Sequence, residues 1–179
     1  MKKLVLLSLL VATATAARAQ TSGTTDVKYY VQPSFVYAFL GDFKDAAGGA
    51  VSFGAAINRD HLVDLEVARF NSETTKWPAL TMDFTPILLN YRYRFSVDGG
   101  VSFQVGGCIG TTLEKPSNYA YGSLSSASAF TIGGIVGVSK SLTDTVSLDL
   151  SAKVLRLNST SLTTSGGIQM LTLGVNFRL

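Results

Sequence analysis

The chain has 179 residues, of which 46% are hydrophobic and 15% charged, and its formal net charge is +3. Three of its cations, Lys2, Lys3 and Arg18, fall within the first nineteen residues, so the remainder is near neutral and offers nucleic acid no basic field. A single cysteine excludes an internal disulfide, so the fold must hold without one.

The first element is a leader. Lys2 and Lys3 precede an apolar run over residues 4–12, and Ala17-Arg18-Ala19 has the form of a cleavage site. The run is too short to span a membrane as a helix, which takes about 20 apolar residues. No cysteine stands near the cleavage point to carry a lipid. Residues 1–19 are expected to be removed and residues 20–179 to form one domain. Beyond Ala19 no apolar run reaches helix-spanning length. A membrane location would then require a closed barrel, because hydrocarbon offers an open sheet edge no hydrogen-bond partner.

From there the hydrophobic period is two. Eight strands are expected, over residues 28–39, 50–58, 62–70, 81–95, 101–112, 129–140, 145–155 and 171–179. The first places Tyr29, Val31, Phe35, Tyr37 and Phe39 on one face, with Lys28, Gln32 and Ser34 on the other. The second sets Val51, Phe53, Ala55 and Ile57 against Ser52, Gly54 and Asn58, and the third sets Val63, Leu65 and Val67 against Asp64, Glu66 and Ala68. In the fourth, Ile87, Leu89, Tyr91, Tyr93 and Phe95 alternate with Asn90, Arg92 and Arg94, whereas Met82 and Phe84 fall on the other parity. Pro86 stands at that switch and cannot donate to a ladder, which predicts a bulge beside it.

The fifth strand directs Val101, Phe103, Val105 and Ile109 outward and Ser102, Gln104 and Cys108 inward. The sixth directs Phe130, Ile132, Val136 and Val138 outward. The seventh alternates Val146, Leu148, Leu150, Ala152 and Val154 with Ser147, Asp149, Ser151 and Lys153. The last alternates Leu171, Leu173, Val175, Phe177 and Leu179 with Thr172, Gly174, Asn176 and Arg178, and runs to the final residue. Links at 58–61, 96–100 and 141–144 are short, and those at 40–49, 71–80, 113–128 and 156–166 are longer. This alternation predicts an all-β, eight-stranded antiparallel up-and-down transmembrane barrel with short periplasmic turns and longer extracellular loops.

Three segments carry a resemblance. Pro86-Ile87-Leu88-Leu89-Asn90-Tyr91-Arg92-Tyr93-Arg94-Phe95, the glycine-rich stretch 101–110, and Gly174-Val175-Asn176-Phe177-Arg178-Leu179 together resemble the eight-stranded outer-membrane β-barrel family, the OmpA-like and opacity-type barrels. The resemblance implies that Gly174, Phe177 and Leu179 form a C-terminal signal for the barrel-assembly machinery. It also implies outer-membrane lipid as surroundings and periplasmic chaperones during biogenesis. Leu179 stands where the family more often has Phe, and Leu173 where it usually has a large polar residue.

A barrel of eight strands has an interior that side chains just fill. The expected polar lumen network is Lys28, Gln32, Asp64, Glu66, Asn90, Arg92, Arg94, Gln104, Asp149, Lys153, Asn176 and Arg178. Confined charges need partners, so Asp64, Glu66 and Asp149 should pair with Arg92, Arg94, Lys153 or Arg178. Outward aromatics suggest interfacial girdles: Tyr29, Tyr93, Phe95, Phe103 and Phe177 near one end, and Phe39, Phe130 and Trp77 near the other.

Catalytic signals are absent. His61 is the sole histidine and falls in a predicted periplasmic turn, where a solvated residue is the simpler reading. A metal site lacks a second histidine or a cysteine pair, and Cys108 reads as a packing residue. No cofactor is implied. Lys115, Tyr119 and Tyr121 in the longest loop are the candidates for surface contacts. The expectation is a monomeric, non-catalytic outer-membrane protein with a structural, envelope-integrity or surface-interaction role. The alternative is a narrow channel or a conduit for small apolar ligands.

Overall fold

A computed structural model describes residues 26–41, 43–58, 60–74, 81–118, 126–158 and 166–179. The expected leader, Trp77, Tyr119 and Tyr121 lie outside them. The alternating segments form β1 (Val27–Phe39), β2 (Ala46–Ile57), β3 (His61–Glu73), β4 (Thr81–Val97), β5 (Val101–Asn118), β6 (Ala127–Ser141), β7 (Val146–Leu157) and β8 (Gly167–Arg178). Each pairs antiparallel with the next, and β8 returns to β1 to close a barrel. Closure leaves no sheet edge unpaired, the condition for a sheet in hydrocarbon. Among the described residues no helix is long and apolar enough to cross a membrane.

The ladder fixes the barrel's shape. From Tyr29 the cross-strand partners run through Ala55, Val63, Tyr91, Gly107, Gly134, Val154 and Gln169, and the ring closes on Phe39. One circuit thus climbs ten residues along β1. Such a stagger tilts eight strands by about 40°. It also brings Tyr29, Tyr93, Phe95, Phe103 and Phe177 to one level near the short turns. Phe39 and Phe130 share a second level about ten residues higher. The exposed apolar side chains between these levels form a belt roughly 25 Å tall, the height of a lipid-facing band.

The strands outrun the apolar alternation at the loop end. Arg69, Asn71 and Glu73 continue β3, and Lys115 and Ser117 continue β5, with outward side chains that are no longer apolar. Backbone pairing persists where the hydrophobic signal stops. Strand therefore extends into what the sequence assigns to loops at 40–49, 71–80, 113–128 and 156–166. At the opposite end the turns are tight, and positive φ at Asn58, Gly99 and Gly100 lets them reverse.

No bulge forms at Pro86. β4 and β5 stay in register from Met82↔Pro116 through Pro86↔Thr112, and the shift falls at Thr81/Met82. The missing N–H instead interrupts the β3–β4 ladder, which passes from Val67↔Ile87 to Phe70↔Phe84 without changing register. Met82 and Phe84 share the inward face with Asn90 and Arg92, and both are buried. Parity never switches; the lumen changes from polar to apolar.

Candidate functional site

The lumen has two tiers. The tier nearer the turns is polar and centred on Asp64 of β3. Arg92 Nη2 donates to Asp64 Oδ2 at 2.6 Å, and the Tyr30 hydroxyl donates to the same oxygen at 2.8 Å. Asn90 Nδ2 donates to Asp64 Oδ1 at 2.7 Å. Arg92 Nη2 also reaches the Tyr30 hydroxyl at 3.1 Å, and its Nη1 donates to Gln104 Oε1 at 2.9 Å. Gln104 Nε2 passes the chain on to Asp149 Oδ1 at 2.9 Å, and the Ser147 hydroxyl donates to Asp149 Oδ2 at 3.3 Å. Lys153 forms a close ion pair with Glu66, which also accepts from Ser52 Oγ at 3.3 Å. Asn176 Nδ2 contacts Gln32 Oε1 at 3.4 Å.

The period of two sets these positions. Tyr30 and Gln32, Asp64 and Glu66, and Asn90 and Arg92 are i, i+2 pairs on the inward faces of β1, β3 and β4. The cross-strand register places Asp64 opposite Asn90. Gly54 makes room for the Tyr30 ring, because a Cβ there would lie 2.8 Å from Tyr30 Cζ and 2.5 Å from Asp64 Cβ. Five buried polar atoms have no partner among the described residues: Glu66 Oε1, Asn90 Oδ1, Arg92 Nε, Arg94 Nε and Thr172 Oγ1.

Of the residues the sequence assigns to the network, Gln32, Asp64, Glu66, Asn90, Arg92, Gln104, Asp149, Lys153 and Asn176 are buried in the lumen. Two are not in it. Lys28 is exposed at the turn end, 3.8 Å from Asp26, because β1 begins there and the barrel wall no longer encloses it. Arg178 bends to the rim, where Nη1 donates to the Asp144 carbonyl at 3.2 Å. Arg94 lies half-buried between lumen and rim. Sequence reasoning missed Tyr30. Its parity, shared with Gln32, was the available signal.

The tier nearer the loops is largely apolar, with Ser72 of β3, Thr112 and Glu114 of β5 and Thr131 of β6 buried along one side of it. Val36, Ala38, Leu40, Ala46, Ala68, Phe70, Met82, Phe84, Leu155, Leu157, Ile168 and Met170 are buried there and pack as one cluster. A uniformly polar lumen is therefore incorrect, because the inward positions of β1, β2, β4, β7 and β8 turn apolar above the Glu66–Lys153 pair. The β1–β2 link closes this tier. The Phe43 ring meets Phe84 edge-on at 5.3 Å, and Phe84 stacks on Phe70 at 5.7 Å. A bridge from Phe43 to Thr74 and the bond from Lys44 N to the Glu73 carbonyl (2.8 Å) hold the link down. Lys44 Nζ lies 2.6 Å from Glu73 Oε2, and this hydrogen bond holds the Glu73 carboxyl below the usual range.

The remaining candidates occupy edges. His61 opens β3 and is not simply solvated, since its Nδ1 lies 2.8 Å from the Tyr91 hydroxyl and its ring meets Tyr93 edge-on. Cys108 is a buried free thiol facing the lumen. Lys115 is exposed near the loop end, opposite Asp83 in register. At Gly174 a Cβ would lie 2.4 Å from Ser34 Oγ and 2.6 Å from Gln32 Nε2, so a larger residue would have to turn those two side-chain ends aside. Phe177 faces outward, and Leu179 ends the chain exposed, with its N–H bonded to the Tyr29 carbonyl at 2.9 Å. Among the described residues no cluster of His, Cys, Asp or Glu could hold a metal.

No protein-family model matches the chain, and no curated protein matches it. Solved structures do. Neisserial surface protein A (NspA) superposes with a TM-score of 0.64 at 18% identity, over 88% of this chain and 100% of that one. Ail, the attachment invasion locus protein of Yersinia pestis, solved in complex with the heparin analogue sucrose octasulfate, gives 0.57 at 16% identity, over 87% and 99%. The outer membrane protein OprG of Pseudomonas aeruginosa gives 0.57 at 12% identity, over 88% and 98%. The chain has the fold of the eight-stranded outer-membrane β-barrels. At these identities the likeness establishes architecture, and function must be argued from the site.

Proposed function

We propose that this chain is an integral outer-membrane protein with a sealed lumen, exported by its 1–19 leader, which serves as a non-catalytic membrane scaffold presenting its loop end to the outside. The turn end and both termini face the periplasm, and Gly174, Phe177 and Leu179 act in assembly. The observation that carries this reading is the two-tier lumen. Ions in the polar tier would have to cross the close-packed and largely apolar tier beneath Phe43, and an ion that sheds its water there is strongly disfavoured. Catalysis has no support in the arrangement, because the carboxylates of the plug are committed to Arg92, Lys153 and Gln104. The extracellular role is envelope integrity or surface contact, with Lys115 at the loop end of β5 as the first place to look.

The small-apolar-ligand alternative has one specific observation in its favour. The loop-end tier is largely apolar and rich in small side chains, including Ala38, Ala46, Ala50, Ala68 and Ala129. Planar-bilayer recordings, together with electrophoresis of unheated against boiled protein, test the main reading. A heat-dependent band shift with no steady conductance is the expected result. Steady open-channel current would overturn the sealed lumen, and protein that stays soluble with no shift would overturn the barrel in a membrane.

A further inference from the structure

The seam from β4 to β6 is rich in glycine, and the glycines divide into two kinds. At Gly106 and Gly110 a Cβ would lie 1.9 Å from the Tyr91 carbonyl oxygen and 2.0 Å from that of Ile87, so nothing larger fits. These glycines face the lumen and permit tight curvature. Gly107 and Gly134 face outward and are direct cross-strand partners. A Cβ at Gly134 would meet no heavy atom within 4 Å. A strand glycine weakens a sheet relative to alanine, and at Gly134 no steric demand offsets that loss.

The gap at Gly107 opens a groove of about 350 Å³ on the outer wall, and Gly134 stands beside it as the cross-strand neighbour. Val63, Leu89, Tyr91, Ile109 and Ile132 line it, and its floor is the Gly107 backbone with the edges of Asn90, Cys108 and Gly133. Tyr91, Gly107, Gly134 and Val154 form one cross-strand row. That row lies between the two aromatic levels, in the middle of the apolar belt. The one polar group on its walls, the Tyr91 hydroxyl, is already committed to His61.

We propose that this groove seats one acyl chain of a bilayer lipid. The proposal rests on the membrane-spanning reading and adds a defined lipid position to it. The depth selects hydrocarbon, and the missing side chain at Gly107, continued by the bare neighbour Gly134, leaves a trough about two strand spacings, or roughly 10 Å, wide. A second copy related by a two-fold axis through this face would lay groove over groove. The lining atoms would then face a void and lose their contacts. A flexible chain fills the trough from end to end.

The test uses the full barrel reconstituted in phosphatidylethanolamine–phosphatidylglycerol vesicles carrying a trace of phospholipid with a mid-chain diazirine, photolysed and mapped by peptide. Label is expected to be severalfold higher on β4, β5 and β6 than on β1, β2 and β8. Gly134→Leu should lower it to the level of the other strands, and Gly134→Ala should lower it partly. Val51→Leu, on the far wall, should leave it unchanged. The space at Gly134 predicts that both glycine variants fold, and the band shift of unheated protein checks this. Even labelling around the belt, label that persists in Gly134→Leu, or protein–protein cross-links through the groove would each overturn the acyl-chain site while the barrel reading stands. No label anywhere would overturn both.

Discussion

The Asp64–Arg92 pair offers the sharpest test of the polar plug. Arg92 Nη2 lies 2.6 Å from Asp64 Oδ2, and both side chains are almost wholly buried. Asp64→Leu leaves the guanidinium enclosed with only Tyr30 and Gln104 for partners, and removing one member of such a pair costs about 3–5 kcal/mol. Arg92→Met leaves the carboxylate with only Tyr30 and Asn90, and the same range applies. Replacing both, as Asp64→Leu with Arg92→Met, removes both charges at similar volume. What then remains is the lost partner of Tyr30, Asn90 and Gln104, at about 1 kcal/mol each. The double variant should therefore lose about 2–3 kcal/mol, far less than the two single losses added together. Urea titration of protein folded in vesicles, followed by the unheated gel shift, gives these free energies by linear extrapolation. Additive losses would refute the reasoning, as would single losses below about 1 kcal/mol, the worth of an exposed pair.

The glycine seam should respond unevenly. Gly106→Ala should sharply reduce the folded fraction on gels, since overpacking costs about 1–3 kcal/mol even where the backbone can shift, whereas Gly134→Ala should fold as wild type. Equal behaviour of the two would show that the lumen-facing and outward glycines are not sterically distinct. Glu73, whose carboxyl is held low by Lys44, stays ionised below the ordinary range of a glutamate. The stabilisation it lends the β1–β2 link is thus full above its unfolded value and is lost as pH falls through the depressed one. Lys44→Ala should return the Glu73 titration to the ordinary range by NMR, and an unchanged midpoint would show that the ion pair is not the cause. Phe43→Ala should speed hydrogen exchange at the Lys44 amide without altering that of β6, because the ring holds the link on Phe84; unaltered exchange would mean the backbone bridge alone suffices.

The alternation that made the strands legible also misread the interior. Val63, Leu65 and Val67 against Asp64 and Glu66 point outward and inward without ambiguity, because one parity is greasy and the other charged. In β4 the inward set runs Met82, Phe84, Pro86, Leu88, Asn90 and Arg92, apolar first and polar later. Outward Ile87, Leu89 and Tyr91 are apolar as well, so polarity alone could not separate the faces at Met82 and Phe84. The inferred bulge followed from assuming a single kind of lumen. Strand ends failed for a related reason. Lys115 and Glu73 sit above the lipid, where the ladder goes on but nothing selects for hydrophobicity. Which carboxylate takes which base depends on the ten-residue stagger, a property of the closed ring that no single strand carries. The outward glycines were visible, but only the ladder shows that Gly107 and Gly134 are neighbours.

The apolar tier beneath Phe43 gives ring closure a thermal signature of its own. Lipid-facing side chains leave water when a strand inserts, whether or not the ring has closed. Phe70, Phe84, Ile168 and Met170 leave water only when the ring closes around them. Burial of apolar surface lowers the heat capacity, so the closing step carries a curvature in temperature separate from that of insertion. Its hydrophobic part weakens on cooling. A chain already embedded in the bilayer can then loosen from inside as the temperature falls, with its outer face still in place.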